Sequence, residues 1–210
     1  MKTLLHLDSS PLGQASLSRE LSTRFVANWT AANADGKVLR RDLNADSIPP
    51  IDGAWIGAVF TPEENRTAAQ REALAISDQF LAEVAAADEW VIGVPMHNFG
   101  IPGVLKLWID QIVRVGKTFA YVDGAPTGLL KNKKATFLIA SGGVYEPGSA
   151  YAPYDFVGPY LRSIFGFIGV TETVVLHAGG AAAIRAGKID RETFLKPHLE
   201  TIDGWFKAAI

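Results

Sequence analysis

Cysteine is absent from this chain of 210 residues. That excludes disulfides, thiol nucleophiles and cysteine metal sites, and it fits a reducing compartment. Long apolar runs are missing too. No stretch reaches the ~18 apolar residues of a membrane span, and the opening run Met1 to Leu7 is cut by Asp8, too short for a secretory leader. A cytoplasmic protein with no membrane partner is expected. Histidine is scarce: His6, His97, His177 and His198 are widely scattered and H-E-x-x-H is missing, so a metal is not expected. An excess of one charge is lacking as well. The formal net charge is −2, which points to no polyanionic partner. The short run Lys131, Lys133 and Lys134 reads as a solvated strand entrance rather than a nucleic-acid patch. G-x-x-x-x-G-K-[ST] and G-x-G-x-x-G are also absent, which removes the main support for ATP and Rossmann-type dinucleotide sites. Gly116-Lys117-Thr118 is a decoy, because Gln111 stands where the earlier glycine belongs.

Apolar residues make up 48% of the chain and charged residues 20%. This is a globular balance, and the length suits one domain spanning residues 1–210. Apolar runs alternate with helical-period segments, the pattern of a parallel sheet covered on both faces. Strands are expected at Thr3 to Leu7, Val38 to Leu43, Trp90 to Val94, Ala135 to Ala140 and Val170 to His177. A helix is expected from Ser16, with Leu17, Leu21, Phe25 and Trp29 along one face. Asp46 to Phe60, with the exposed-looking Trp55 and Ile56, reads as an excursion from the core. A capping box of Thr61 and Glu64, with Pro62 at the first helical position, predicts a helix running to about Ala87. Further helices are expected over Val104 to Val113, Asp155 to Phe167 and Asp190 to Ala208. Together these predict an α/β, doubly wound fold: five parallel strands with helices on both faces. Such sheets bind ligands beyond the carboxyl ends of their strands, so the loops after the first, third and fourth strands are the places to look.

After the first strand, Ser9-Ser10 and then Ser16-Leu17-Ser18 bring hydroxyls and free backbone N–H groups to a helix start, which suits a phosphate. N-capping by Ser16 alone is the plainer alternative. Arg19 sits in the first turn, where a cation opposes the helix dipole unless something negative is near; this favours an anion. After the third strand, Pro95-Met96-His97-Asn98-Phe99-Gly100 mixes a flat aromatic, a thioether and an amide. An isoalloxazine ring needs such a mixture of stacking faces and polar edges, though a turn packing Met96 and Phe99 into the core would read the same. After the fourth strand, the paired glycines of Ser141-Gly142-Gly143-Val144-Tyr145 let backbone approach a ligand or merely make a flexible turn. The loop from Ser141 to Pro153 is long for a compact domain, which favours a functional lid.

Taken in order, these loops resemble the FMN-dependent NADH-azoreductases, which are also quinone reductases. The resemblance rests on Ser-Ser-Pro with Ser-x-Ser, on Pro-Met-x-Asn-Phe-x-Ile-Pro and on Ser141-Gly142-Gly143. Lys106, Asp110, Gly116-Lys117-Thr118-Phe119 and Gly166-Phe167-Ile168-Gly169 extend it over nearly the whole chain. It implies a flavodoxin-like fold, a homodimer with FMN at the interface and a ping-pong cycle, in which NADH or NADPH reduces the flavin and a quinone or azo acceptor then takes the electrons. It implies that Ser10, Ser16, Leu17 and Ser18 hold the phosphate, and that Pro95, Met96, His97, Asn98 and Phe99, with Ser141, Gly142, Gly143 and Val144, hold the ring. Tyr145, Phe60, Phe119 and Tyr121 are candidates for the acceptor pocket or the interface. His97 stands where relatives often have tyrosine, and Tyr145 where some have histidine, so acceptor preference does not carry over.

The cofactor would carry the chemistry, and no obligatory catalytic side chain is expected. His97 is a candidate proton donor, since imidazole ordinarily titrates near 6.5. Two rivals share the architecture. One is a flavodoxin-type electron carrier without turnover; carriers are usually strongly acidic, unlike this chain. The other is a serine hydrolase using Ser9 or Ser10 with His97 or His177, for which no G-x-S-x-G elbow is present.

Overall fold

The computed structural model describes residues 1–45 and 47–207. In chain order the elements are β1 (Thr3–Asp8), α1 (Leu17–Ala32), β2 (Lys37–Asp42), α2 (Gly53–Phe60), α3 (Ala68–Ala86), β3 (Glu89–Pro95) and α4 (Gly103–Ile112). There follow β4 (Phe119–Val122), β5 (Ala125–Gly128), β6 (Lys134–Ala140), α5 (Gly158–Phe167), β7 (Glu172–Ala178), α6 (Ala182–Arg185) and α7 (Arg191–Lys207). Five strands form one parallel sheet in the order β2-β1-β3-β6-β7, the doubly wound arrangement that the sequence predicts. Strand order reverses beside β1, so the carboxyl ends of β1, β3 and β6 frame the crevice.

Both faces of the central strands are buried, which is why they read as unbroken apolar runs rather than as alternation. On one face, Leu4, Val91 and Leu138 meet Leu21, Phe25 and Trp29 of α1 and Phe194, Leu195 and Ile202 of α7. On the other, Leu5, Ile92 and Phe137 meet Phe80 of α3, Trp108 of α4 and Phe165 of α5. The indole N–H groups of Trp29, Trp90 and Trp108 have no hydrogen-bond partner among the described residues. An aromatic ring buries roughly 150–250 Å², worth about 4–6 kcal/mol at ~25 cal/mol/Å². That outweighs the ~1–3 kcal/mol of an unsatisfied donor.

Three local readings are corrected. The expected excursion contains α2, which Asp52 starts by accepting a hydrogen bond from the Trp55 amide at 2.8 Å; Asp46 lies outside the described residues. The capping box is Thr67 with Gln70, not Thr61 with Glu64. Thr61 instead closes α2, its hydroxyl donating to the Gly57 carbonyl at 2.8 Å. Arg66, donating to the Ala58 and Thr61 carbonyls, ties down the break between the two helices. An antiparallel hairpin, β4–β5, lies between α4 and β6 where no strands were expected. It docks by backbone contact: a Cβ on Gly128 would stand 2.2 Å from the Gly169 nitrogen. The end of the last helix expected at Ala208 falls outside the described residues.

Candidate active site

At the carboxyl edge of the sheet, a cleft of about 350 Å³ opens between four segments. Its walls include Ser10 and Ser16 to Ser18, Pro95 to His97, Ala140 to Gly142, and a fourth segment running through Ala181, Ala182, Ile184 and Arg185 to Arg191. Its size falls in the range of small-molecule sites, roughly 300–1,000 Å³.

The first wall is the start of α1. Ser16 caps it, accepting from the Arg19 amide at 3.2 Å, and its hydroxyl lies 3.1 Å from that of Ser18. The Leu17 and Ser18 amides lead the helix and have no intrahelical acceptor. Glycine in β3 brings this helix start close to the sheet: a Cβ on Gly93 would stand 2.9 Å from the Ser18 carbonyl oxygen and 3.0 Å from Asp8 Oδ1. Ser9 is structural, donating to the Gly93 carbonyl at 2.8 Å, whereas Ser10 faces the cleft.

Arg19 requires a correction. The negative charge beside it belongs to the protein: its guanidinium reaches Asp8 at 3.3 Å and Asp42 at 2.6 Å, and it argues for no bound anion. Asp8 is the hub of a buried network. It accepts from Ser22 at 2.8 Å and lies 3.3 Å from His6 Nε2. Arg40 reaches His6 Nδ1 at 3.1 Å; arginine offers only donors, so His6 carries its proton on Nε2, toward Asp8 and Ser22.

The second wall ends in a two-residue hairpin turn. His97 and Gly100 exchange backbone hydrogen bonds of 2.9 and 3.0 Å, and the central residues have positive φ, 47° at Asn98 and 70° at Phe99. This is the type I′ pattern, which ordinarily takes Asn-Gly. Phenylalanine in the left-handed region is strained by about 1–2 kcal/mol. The loop after β6 holds it there: Tyr154 lies tilted against its ring at a centroid distance of 5.3 Å, Tyr145 meets it edge-on at 6.0 Å, and the Phe156 amide donates to the Phe99 carbonyl at 3.2 Å. Phe99, Tyr151, Tyr154 and Phe156 are each substantially exposed, forming an aromatic shelf beside the cleft.

The third wall is a ribbon with a fixed polarity. The carbonyls of Ser141, Gly142 and Gly143 accept from the amides of Ala181, Ala182 and Gly180 at 2.9–3.0 Å. The Gly142 and Gly143 amides have no acceptor among the described residues. Tyr145 crowds the ribbon so closely that a Cβ on Gly143 would meet its ring at 3.0 Å.

The structure therefore gathers Ser10, Ser16, Leu17, Ser18, Pro95, Met96, His97, Ser141 and Gly142 around one cavity, with Asn98, Phe99, Gly143, Val144 and Tyr145 continuing its rim. Phe60, Phe119 and Tyr121 lie apart: Phe119 packs against Tyr121 and Phe167 on the hairpin, and Phe60 ends α2, largely exposed. The fourth wall escaped the sequence reading. Its only signal was the cluster Gly179-Gly180 after the last strand. Ser9 and Ser10 make no hydrogen bond to a histidine among the described residues. His177 faces Asp155 at 3.9 Å, and burial holds its imidazole below the usual range against the opposing pull of the Asp155 carboxylate. No group of three or more His, Asp or Glu side chains placed to hold a metal occurs among the described residues. No described helix is long and apolar enough to cross a membrane.

A strand order reversing beside β1, with a helix start, an aromatic turn and a glycine ribbon around one cleft at the carboxyl edge of the sheet, defines a flavodoxin-like protein. The chain belongs to the Flavodoxin_2 family, described as a flavodoxin-like fold, whose model matches residues 2–201. It is 55% identical over 202 residues to an FMN-dependent NADH:quinone oxidoreductase of Acidobacterium capsulatum, covering 96% of this chain and 98% of that one. It is 48% identical to FMN-dependent NADH:quinone oxidoreductase 3 of Burkholderia lata, covering 98% of this chain and all of the relative (100%). Among solved structures, an azoreductase from Bacillus anthracis superposes with a TM-score of 0.88 at 27% identity, over 99% of this chain and 100% of that one.

Proposed function

We propose that this protein is an FMN-dependent oxidoreductase that passes electrons from NADH or NADPH to a quinone or an aromatic azo compound. The observation that supports it best is the convergence of uncommitted donors on one cleft: the Leu17 and Ser18 amides on one wall, the Gly142 and Gly143 amides on another. The first pair suits a phosphate at a helix start. The second suits the carbonyl-bearing edge of a flavin, and the aromatic shelf suits a ring face. When bound, FMN would supply the hydride chemistry, with the nicotinamide as donor and the acceptor entering second, in ping-pong order. The chain's own residues bind and orient: Ser10 and Ser16 to Ser18 hold the phosphate, and Pro95 to Phe99 with Ser141 to Val144 hold the ring. Preorganised amides at Gly142 and Gly143 favour negative charge beside them.

The test is optical. Purified protein is expected to be yellow, and its visible absorbance is expected to bleach on adding NADH without oxygen and to return on adding a quinone. A carrier without turnover would fail to oxidise NADH continuously; a colourless protein that takes up no FMN would remove the reading altogether.

His97 lines the cleft and makes no side-chain hydrogen bond among the described residues, which leaves it able to donate a proton to the acceptor. His97→Phe is expected to lower turnover; full turnover at every pH would leave His97 as a shape group only. A homodimer is part of the proposal. Phe60, Tyr121 and Phe167 stay exposed and apart from the cleft, an apolar surface that suits a neighbouring copy. Sedimentation across a dilution series is expected to show a dimer that keeps its FMN; a monomer with intact FMN would contradict it. A cytoplasmic setting, with its supply of reduced nicotinamide, completes the reading.

A further inference from the structure

Three arginines approach the cleft, and two are committed elsewhere. Arg19 pairs with Asp8 and Asp42. Arg191 pairs with Glu20 at 2.5 Å and donates to the Ala15 and Ser16 carbonyls at 2.9 and 3.2 Å, pinning the loop before α1. Arg185, at the end of α6, lines the cleft and has no partner among the described residues. Its Nη2 lies 3.9 Å from where a Cβ on Gly142 would stand, so the guanidinium hangs over the glycine ribbon. A long cationic side chain left unpaired in a cleft is a charge waiting for a counter-charge that the chain itself does not provide.

We propose that Arg185 sets how readily the bound flavin holds electrons, by placing a full positive charge beside the ring edge seated at Gly142 and Gly143. The inference rests on the FMN reading above. Hydride from the nicotinamide brings two electrons and one proton to a neutral ring and leaves one added negative charge there, while the nicotinamide departs oxidised. On the return, a hydride equivalent and one solvent proton convert a quinone to its hydroquinone, and the ring is neutral again. Arg185 attracts only the charged stage. It therefore shifts the balance between the two stages rather than affinity in general, the way charge near a flavin ring tunes its electronics. Its exposure to solvent screens the charge and limits the effect.

The experiment measures the midpoint potential of bound FMN against a reference dye in the wild type, Arg185→Gln and Arg185→Lys, with dissociation constants for oxidised FMN and for riboflavin. Arg185→Gln is expected to weaken binding of the reduced form relative to the oxidised form about tenfold, a potential about 30 mV more negative for a two-electron couple. Arg185→Lys should recover most of it, and oxidised FMN and riboflavin should bind nearly as before. An unchanged potential in Arg185→Gln overturns the proposal. So does a loss of oxidised FMN with riboflavin spared and the potential unmoved, which would make Arg185 a phosphate ligand. A wild-type protein that binds neither flavin overturns the FMN reading itself, a result separable from either of these.

Discussion

Gly93→Ala is expected to strip the protein of FMN. Alanine in a strand interior would ordinarily stabilise by about 0.5–1 kcal/mol relative to glycine. Here its methyl would stand 2.9 Å from the Ser18 carbonyl oxygen and 3.2 Å from the carbonyl carbon. Both atoms are backbone, so no rotamer change relieves the contact and the start of α1 must move off β3. Overpacking of this kind costs about 1–3 kcal/mol, which outweighs the gain. The same displacement carries the Leu17 and Ser18 amides away from the phosphate position. A loss of about 1.4 kcal/mol or more in binding is tenfold or more in Kd. Fluorescence titration with FMN and a thermal melt read the two effects. Gly53→Ala is the control, since nothing lies within 4 Å of a Cβ there; it should bind FMN normally and melt no lower. A Gly93→Ala protein that binds FMN like the wild type would show that the close approach does not place the site.

The second large effect concerns stability alone. Arg114 follows α4 with its side chain 1% exposed, donating to the Ser77 hydroxyl at 3.0 Å and to Asp78 at 2.6 Å. Its Nη2 already lacks a partner. Asp78→Ala removes the one carboxylate paired with it and leaves a buried cation with a single hydroxyl. Breaking a buried pair costs about 3–5 kcal/mol; Asp78 is half exposed, so water moderates the loss and about 3 kcal/mol is expected. Adding Arg114→Met to Asp78→Ala should restore part of the stability, because the orphaned charge is gone and the stem's volume remains. Urea unfolding of both single variants and the double variant measures the coupling. A double variant no more stable than Asp78→Ala would mean that the cation is not what destabilises.

The strands and the three loops were legible because their signals are local and redundant: unbroken apolar runs, then Ser-Ser-Pro, Pro-Met-x-Asn-Phe and Gly-Gly at strand ends. What escaped depends on distant partners. Thr61 and Thr67 both open a capping pattern, and only the turn tied by Arg66 decides between them. The four-residue strands of the hairpin, one containing Pro126, are too short for period-two alternation to speak, and Gly128 serves them through its contact with Gly169. Arg19 looked like a cation awaiting an anion because Asp8 and Asp42 lie on two other strands. The wall carrying Ala182 and Arg185 is a four-residue helix whose role appears only when its amides meet the carbonyls of residues 141–143.

That last pairing has a wider consequence. The direction of the Gly142 and Gly143 amides is set through their own peptide planes, by the backbone hydrogen bonds that the Ser141 and Gly142 carbonyls accept from Ala181 and Ala182. Residues in front, such as His97 and Tyr145, can therefore be exchanged without re-aiming those amides. One scaffold can then diversify toward differently shaped oxidants while its electron-handling surface stays the same, and an engineer seeking new acceptors should vary the front and leave the segment 180–182 alone.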